Sequence, residues 1–579
     1  MKTAEKLFRR AHEAQAGGNL SLAIRLYKDV LKEAPSHLDA TYLLGTAEAM
    51  TGALTEAVAT LRKAAELGPG SPMIRSNLGL ALKLLGRMDE AEEAFRKALA
   101  LDPSHPQAAN NLAALLVARG RPGEAECLVS DILRTHPDAS RYALIQLANA
   151  QADQARVPDA LDSLESLLRR EPDNRVAWSN FLSLLHYDPG RTRDEILEAH
   201  RQWGQRYPTT PPRRRTAGRR KRVRVGYLSP DFRTHPVGLL VAPVIAGHDP
   251  GRVEVFLYHD STGSDAVTER LKGIQGVNWR EVAGMPDAGV ANRIRSDEID
   301  VLVDLTGHLS GNRLPVFAAR PAPVQGTWLG YPGSTGLAAM DFAISDEAFD
   351  PPAEGNAGYT ERVIRVSRPA FCYTPPDDAP PVGSLPHGPL RFGSFNNLRK
   401  LNDDVIAVWA RLLARVPESV LVMQARALGD TGVRRSISGR FRERGIGEER
   451  LELHPTGPLA EHLGLVSGTH LCLDPWPWNG HMTTLNCLWM GVPVVTLAGD
   501  RRSWRMGRCV LAQVDLAGLV ADSREAYIEI AAATARDVPR MRDLRSSLRG
   551  RLAESVLTDG ASLATELERI YVIMIEETS

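Results

Sequence analysis

The sequence predicts an α-solenoid followed by two doubly wound α/β domains that face each other across a cleft. Three observations predict it. A 34-residue period of proline, glycine and alanine runs through the first third of the 579 residues. From residue 222 short, nearly continuous apolar runs alternate with stretches of helical periodicity. A proline-rich passage, "YTPPDDAPPVGSLPHGP" (373–389), divides those runs into two sets. The expected organisation is repeats over 1–190, a helical and basic linker over 191–221, and α/β domains over 222–385 and 386–579.

The repeats come first. Prolines fall at Pro35, Pro69, Pro103, Pro137 and Pro172, and glycines at Gly18, Gly52, Gly86 and Gly120. Alanines recur at Ala23, Ala57, Ala91, Ala125 and Ala160, and large apolar residues at Tyr27, Leu61, Phe95 and Val129. Each unit therefore reads as two antiparallel helices. Glycine closes the first, alanine permits close approach within the second, and proline stops it. One pair cannot bury its apolar face alone, so neighbours stack. The spacing and alphabet resemble the tetratricopeptide repeat family, with about five repeats and a divergent helical pair, "NRVAWSNFLSLLHYDP" and "TRDEILEAHRQWGQRY", leading out. The resemblance implies a right-handed superhelix whose concave face binds extended peptide. A bare spacer is the competing reading. The next stretch, "PPRRRTAGRRKRVR", carries eight basic residues between Arg213 and Arg224 and reads as a solvated hinge or as a dock for an anionic surface.

In the first α/β set "RVRVGYLSPDF", "VEVFLYHD", "IDVLVDLTG" and "PVQGTWLG" read as strands. In the second, "LRFGSFNN", "SVLVMQA", "RLELHPT", "HLCLDP" and "VPVVTLAG" do. Apolar strands alternating with helices mean parallel sheets covered on both faces. Ligands of such sheets sit outside the carboxyl ends of the strands. No G-x-G-x-x-G or P-loop is present, which weighs against dehydrogenase and NTPase chemistry.

Composition excludes more. The 70 basic and 70 acidic residues cancel, so no whole-molecule field points to nucleic acid or membrane. The five cysteines show no paired metal-ligand spacing and suit a reducing compartment. No apolar run is long enough to span a membrane, and the start, "MKTAEKLFRRAHEAQAGG", is a charged amphipathic helix without a signal core. A cytoplasmic protein is expected, with homo-oligomerisation open.

Three places look chemical. "WNGHMTTLNCLWMGVPVVTLAGD" (478–500) puts His481, Thr483 and Thr484 where a strand hands over to a helix. The free amides of a helix start suit a diphosphate, with the hydroxyls as added donors; ordinary capping by Thr483 or Thr484 is the alternative. Lys400, in "FGSFNNLRK", is one of only ten lysines against sixty arginines. It reads either as a compact point charge for a phosphate or as a surface lysine. His235, in "SPDFRTHPVG", follows the first strand and is a candidate to meet a substrate proton. His308 and His462 are weaker candidates, since a histidine is more often structural.

"GYLSPDFRTHPVG", "LVDLTGHLSGNRLPVFAARPAPVQGTWLGYPGSTG", "FGSFNNLRKLN" and "LDPWPWNGHMTTLNCLWMGVPVVTLAGD" occur in this order after the repeats. The constellation strongly resembles the O-linked N-acetylglucosamine transferase family, with its plant SPINDLY-like and bacterial members. The resemblance implies a GT-B fold of two Rossmann-like domains and inverting transfer of a sugar from a nucleoside diphosphate to protein Ser/Thr hydroxyls. By resemblance Lys400 neutralises the departing diphosphate, and Asn397 stands where a glutamine contacts it. His462 lies by the base, and His481, Met482 and Thr483 stand where the family has His-Thr-Thr. His235 lies near sugar and acceptor, while His308 with Gly330, Tyr331, Pro332 and Gly333 lines the cleft from the opposite domain.

Two residues depart from that pattern. Met482 replaces a threonine, with Thr484 one step later as its substitute. Asn486 stands where an aspartate usually accepts from ribose hydroxyls, so the charge-assisted bond is lost. UDP-N-acetylglucosamine is the leading donor, with GDP-fucose or a UDP-hexose as rivals. No cofactor or metal is expected, because the chain has no Asp-x-Asp triplet. A catalytically decayed repeat scaffold is the reading from another class; Lys400 and the Gly/Pro loops argue against it.

Overall fold

The computed structural model describes residues 2–135, 140–208 and 221–578 and divides them into two compact units, Met1–Gln151 and Ala152–Ser579. Pro137 and most of the basic run lie outside the described residues.

The first unit is a stack of antiparallel helix pairs, beginning with Lys2–Ala16 and Leu20–Glu33. The sequence period has a backbone cause. Gly18, Gly52, Gly86 and Gly120 all take φ between 76° and 81°, the left-handed conformation that ends a helix cheaply only at glycine. Ala23, Ala57, Ala91 and Ala125 are fully buried, and Tyr27, Leu61, Phe95 and Val129 fill the core beside them. Two further glycines set the interhelix distance. A Cβ on Gly45 would lie 2.7 Å from Leu61 Cγ, and one on Gly79 would lie 2.6 Å from Phe95 Cε1.

The second unit opens with helices Val157–Arg170, Arg175–Leu185 and Arg193–Gly204, which precede its two sheets in the same compact unit. The fit is tight. Gly204 meets the Gly336 carbonyl where a Cβ would stand 1.8 Å away, and Gly336 meets the His200 carbonyl in the same manner.

Two all-parallel sheets follow. The first holds β1 (Val223–Ser229), β2 (Val253–His259), β3 (Val277–Glu281), β4 (Val301–Asp304), β5 (Val324–Thr327), β6 (Phe342–Asp346) and β7 (Arg362–Val366), in the order β3-β2-β1-β4-β5-β6-β7. The second holds β8 (Arg391–Ser394), β9 (Val420–Gln424), β10 (Leu451–His454), β11 (Leu471–Leu473), β12 (Val494–Leu497) and β13 (Val520–Ala521), in the order β10-β9-β8-β11-β12-β13. All nine expected strands are present. β3, β6, β7 and β13 went unread: β13 is only two residues long, β3 is only partly buried, and polar residues (Ser345 and Asp346 in β6, Arg362 and Arg365 in β7) break up the apolar runs of the other two.

The final helix, Gly560–Thr578, belongs by sequence to the second sheet's segment but packs on the first. Tyr571 Oη lies 3.0 Å from Tyr227 Oη, and Glu568 Oε1 lies 3.2 Å from His248 Nδ1. Gly247 and Gly560 let the backbones touch. Arginines after β12 tie the two sheets together. Arg502 donates to Ile344 O at 3.0 Å, and Arg505 donates to Phe349 O and to both carboxylate oxygens of Glu354. The described end of the basic run, Arg222 and Arg224, pairs with Glu254 at the amino ends of β1 and β2.

Gly79→Val is expected to destabilise the repeat unit by about 1–3 kcal/mol, because the new methyls overlap the Phe95 ring. Thermal melting followed by circular dichroism checks it; an unchanged transition would refute this packing.

Candidate active site

Each sheet reverses its strand order once, at β1/β4 and at β8/β11. Loops leaving two adjacent strands splay apart there and open a crevice beyond the carboxyl ends. His235 follows β1, His308 follows β4, Lys400 follows β8 and His481 follows β11. The sequence candidates thus collect at the two switch points.

Lys400 ends a short 3-10 turn, Leu398–Lys400, and is only 8 % exposed, so the surface reading fails. Its Nζ donates to Asn396 Oδ1 at 2.9 Å and to Asn479 O at 2.8 Å. One N–H is left without a protein acceptor among the described residues, available to a ligand. Burial pushes the amine down to about 8, opposed by the nearby Asp474 carboxylate. Asp474, at the end of β11, is itself pushed up to about 7 by burial, against the Gly480 N–H, Lys400 and Thr496.

The helix Met482–Trp489 begins beside this amine. His481 stands at its N-cap and makes no capping bond, so the expected alternative of a Thr483 or Thr484 cap is not realised. The amides of the first turn remain open, as an anion requires. Thr484 does not stand in for the missing threonine: it is 2 % exposed and its Oγ1 donates to Gly480 O at 3.1 Å. Thr483 is half-buried, and Met482 packs on the second sheet's apolar core. His481 lies edge-on to Phe371 at 4.2 Å, with Nε2 buried and unpartnered. Burial, then Arg502 and Lys400, hold it neutral with a pKa of about 3. Asn486 Oδ1 accepts from Tyr373 Oη at 3.0 Å, which occupies part of the amide's accepting capacity.

Asn397, exposed, lines a cavity of about 320 Å³ with Asn396, Arg399, Gln424 and Thr456, at the ends of β8, β9 and β10. His462 borders it through Gln424: Gln424 Nε2 donates to Pro455 O, which leaves Oε1 to accept from His462 Nδ1 at 2.6 Å. The free ring atom is then Nε2, an acceptor. Arg399 is pinned by Asp153 at 2.5 Å. A larger cavity of about 780 Å³ lies between 382–390 and the helices after β13, at the opposite end of β8, away from this chemistry.

On the first sheet His235 caps the helix Pro236–Gly247 through Nδ1, which accepts from Val237 N at 3.3 Å and lies 3.5 Å from Asp231 Oδ2. That tautomer presents Nε2–H. His308 and Tyr331, expected along the cleft wall, are interior instead. His308 is 1 % exposed, its Nε2 donates to Thr335 O at 2.8 Å, and its ring meets Trp203 edge-on at 4.5 Å. Tyr331 Oη sits between His200 Nε2 (2.8 Å) and Leu182 O (3.1 Å). Helices 175–204 cover both rings, a tertiary contact invisible to local pattern. Gly330 lets the chain pass Leu305 O, where a Cβ would stand 1.9 Å away. Pro332 and Gly333 flank a void of about 20 Å³ beside His186, whose two ring nitrogens are buried without partners.

Sequence reasoning missed Asp474, Asn396, Asn479 and the Tyr187–Trp478 stack, whose centroids are 4.4 Å apart. Asp474 and Trp478 lie in the quoted "LDPWPWNGH", where an aspartate ending an apolar strand was the available signal. Among the described residues no group of three or more His, Cys, Asp or Glu is placed to hold a metal, and no helix is long and apolar enough to cross a membrane.

Residues 202–373 and 382–567 match the description of glycosyl transferase family 41, and 8–72 and 82–146 match tetratricopeptide repeats. The chain is 36% identical over 422 residues to the probable UDP-N-acetylglucosamine–peptide N-acetylglucosaminyltransferase SPINDLY of Oryza sativa subsp. japonica, covering 71% of this chain and 45% of that one. It is 28% identical over 384 residues to the protein of the same description named SEC from Arabidopsis thaliana, covering 64% and 38%. The chain thus spans less than half the length of these curated relatives. A mutant of the Thermobaculum terrenum O-GlcNAc transferase matches in structure with TM-score 0.73 and 31% identity, covering 100% of this chain and 98% of that one.

His481 and His200, held down to about 3 and about 4 by burial, are expected to stay neutral from pH 5 to 8. Histidine proton resonances followed against pH check it. A midpoint near the ordinary histidine value of about 6.5 would show these rings open to water.

Proposed function

Because the chain belongs to glycosyl transferase family 41, we propose that it transfers a sugar from a nucleoside-diphosphate donor to serine or threonine hydroxyls of proteins, with inversion at the anomeric carbon. The observation that carries this reading is the buried Lys400 ammonium beside an uncapped helix start at the β8/β11 switch point. UDP-N-acetylglucosamine is the proposed donor, on the strength of the relatives' names.

The base and ribose enter the cavity at Asn397 and Gln424, with His462 Nε2 as an acceptor toward the base. The diphosphate lies against the amides of 482–484 and the free N–H of Lys400. The acceptor oxygen attacks the anomeric carbon from the face opposite the diphosphate. The carbon–oxygen bond to phosphate breaks, and its electron pair leaves with the nucleotide. Charge then grows on the leaving oxygen, where fixed donors in a dry site are worth most. Lys400 and the helix start meet it, so this route needs no metal. His235 presents Nε2–H toward sugar or acceptor; a base role requires the other tautomer, with Nδ1–H turned to Asp231. Otherwise the hydroxyl proton leaves through the donor phosphate or water. The repeats bind the acceptor as extended peptide, and the cytoplasm, where five free cysteines are at home, is the proposed location.

One observation favours a second donor. With Asn486 engaged by Tyr373, the ribose contact lacks a carboxylate, which admits GDP-fucose or a UDP-hexose. A decayed scaffold would have no reason to keep an ammonium buried at the switch point.

Calorimetric titration with a panel of nucleoside diphosphates, followed by transfer and hydrolysis assays with the matching sugar nucleotides, tests the reading. Lys400→Ala is expected to lower turnover by roughly 100-fold or more in a chain that still folds, as circular dichroism checks. Wild-type protein that neither binds nor turns over any of the panel would end the enzyme reading.

A further inference from the structure

We propose that Asp474 is a positioning residue of the donor site, holding the 480–484 turn and the Lys400 ammonium in register and setting the pH range over which a nucleoside diphosphate binds. The inference rests on the donor reading above and adds to it a residue to which the resemblance gives no role.

The geometry is closed on every side. Asp474 Oδ1 accepts the Gly480 N–H at 2.5 Å, and Oδ2 accepts Thr496 Oγ1 at 2.7 Å. Its own N–H donates to Val495 O at 3.0 Å, and its carbonyl accepts Tyr527 Oη at 3.2 Å. Two glycines close over the carboxylate: a Cβ on Gly507 would lie 2.7 Å from Oδ2, and one on Gly480 would lie 3.1 Å from Oδ1. Residue 479 carries the carbonyl that Lys400 Nζ grips, and residue 480 carries the amide that Asp474 grips. The ammonium and the carboxylate thus hold the two ends of one peptide unit, the 479–480 bond of the strand-to-helix turn. Neither can move without moving the start of the helix.

The charges around the pair decide its behaviour. The groups that face it are His481, Tyr527 and Cys487, with Arg502 beyond His481. Burial holds His481 neutral and pushes Tyr527 upward, while the Cys472 thiol and then burial do the same to Cys487, so all three are uncharged near neutral pH. Asp474 is therefore the counter-charge that keeps Lys400 protonated while no donor is bound. Above about pH 8 the amine gives up its proton, and a diphosphate must restore that proton to bind. Donor affinity accordingly falls as pH rises through that value. Neutralising the carboxylate removes what holds the proton, so the fall moves to lower pH.

The test is calorimetric binding of UDP, or whichever nucleoside diphosphate the panel selects, across the neutral and alkaline range. Asp474→Asn is expected to lose affinity at a pH lower than wild type by roughly one to three units. Thr496→Val, which removes one donor to the carboxylate, is expected to shift it the same way by less, and it carries the test if Asp474→Asn does not fold. Lys400→Arg, permanently charged, is expected to abolish the alkaline fall. A wild-type midpoint retained in both Asp474→Asn and Thr496→Val, or an alkaline fall surviving in Lys400→Arg, overturns the proposal. Wild type that binds no nucleoside diphosphate overturns the donor reading itself, which is a different failure.

Discussion

A charged amine taken out of water must be surrounded by oxygen, and the second sheet is organised around meeting that demand at Lys400. Losing hydration costs an ion several kcal/mol, which here is offset by the Asn396 side chain, the Asn479 carbonyl and the Asp474 charge. Those partners come from the ends of β8 and β11, neighbours only because the sheet reverses its order between them. The same turn that surrounds the amine delivers the uncapped start of the helix Met482–Trp489. Amine and amides therefore converge as one consequence of sheet topology.

Parallel strands leave a recurring problem at their carboxyl ends, where the following loop's amides have no ladder to join. Buried carboxylates solve it. Asp304 accepts the Thr306 and Gly307 amides and Thr327 Oγ1. Asp346 accepts the amides of Ala348, Phe349 and Ala370, and Asp474 accepts that of Gly480. Such carboxylates sit under competing effects: burial favours the protonated form and the amides favour the ionised one. Asp304 is pushed up to about 6 as a result. The loops beyond these strands are held stiff by the buried carboxylates beneath them.

The shortage of lysine has a structural side as well. Arg450 donates to Leu413, Val416 and Ser419, and Arg545 donates to Gly383, Ser467 and Thr469. Arg501 reaches Asp188 O and Arg191 O, joining the helix pair 175–204 to the loop after β12. A planar fork with five donors spans several carbonyls at once, whereas an ammonium is a compact charge. Arginine serves as a tie between segments here. Lys400 stands where a point charge with a donor to spare is suited.

Much was legible in the residue string because periodicity is local. Glycines spaced 34 apart encode a repeated left-handed turn. Apolar runs encode nine strands, and strand ends marked Lys400 and His481 before any partner was known. Only the tertiary structure decided the rest. It sent the helix Gly560–Thr578 back to the first sheet, covered His308 and Tyr331 with the helices 175–204, and turned Thr484 Oγ1 onto Gly480 O. It also brought Asp474 to Lys400 across 74 residues of chain. A spacing rule reports which face a residue shares with its near neighbours along one element. Which distant segment covers that face depends on how whole layers pack, and that packing sets burial, charge and proton affinity at the site.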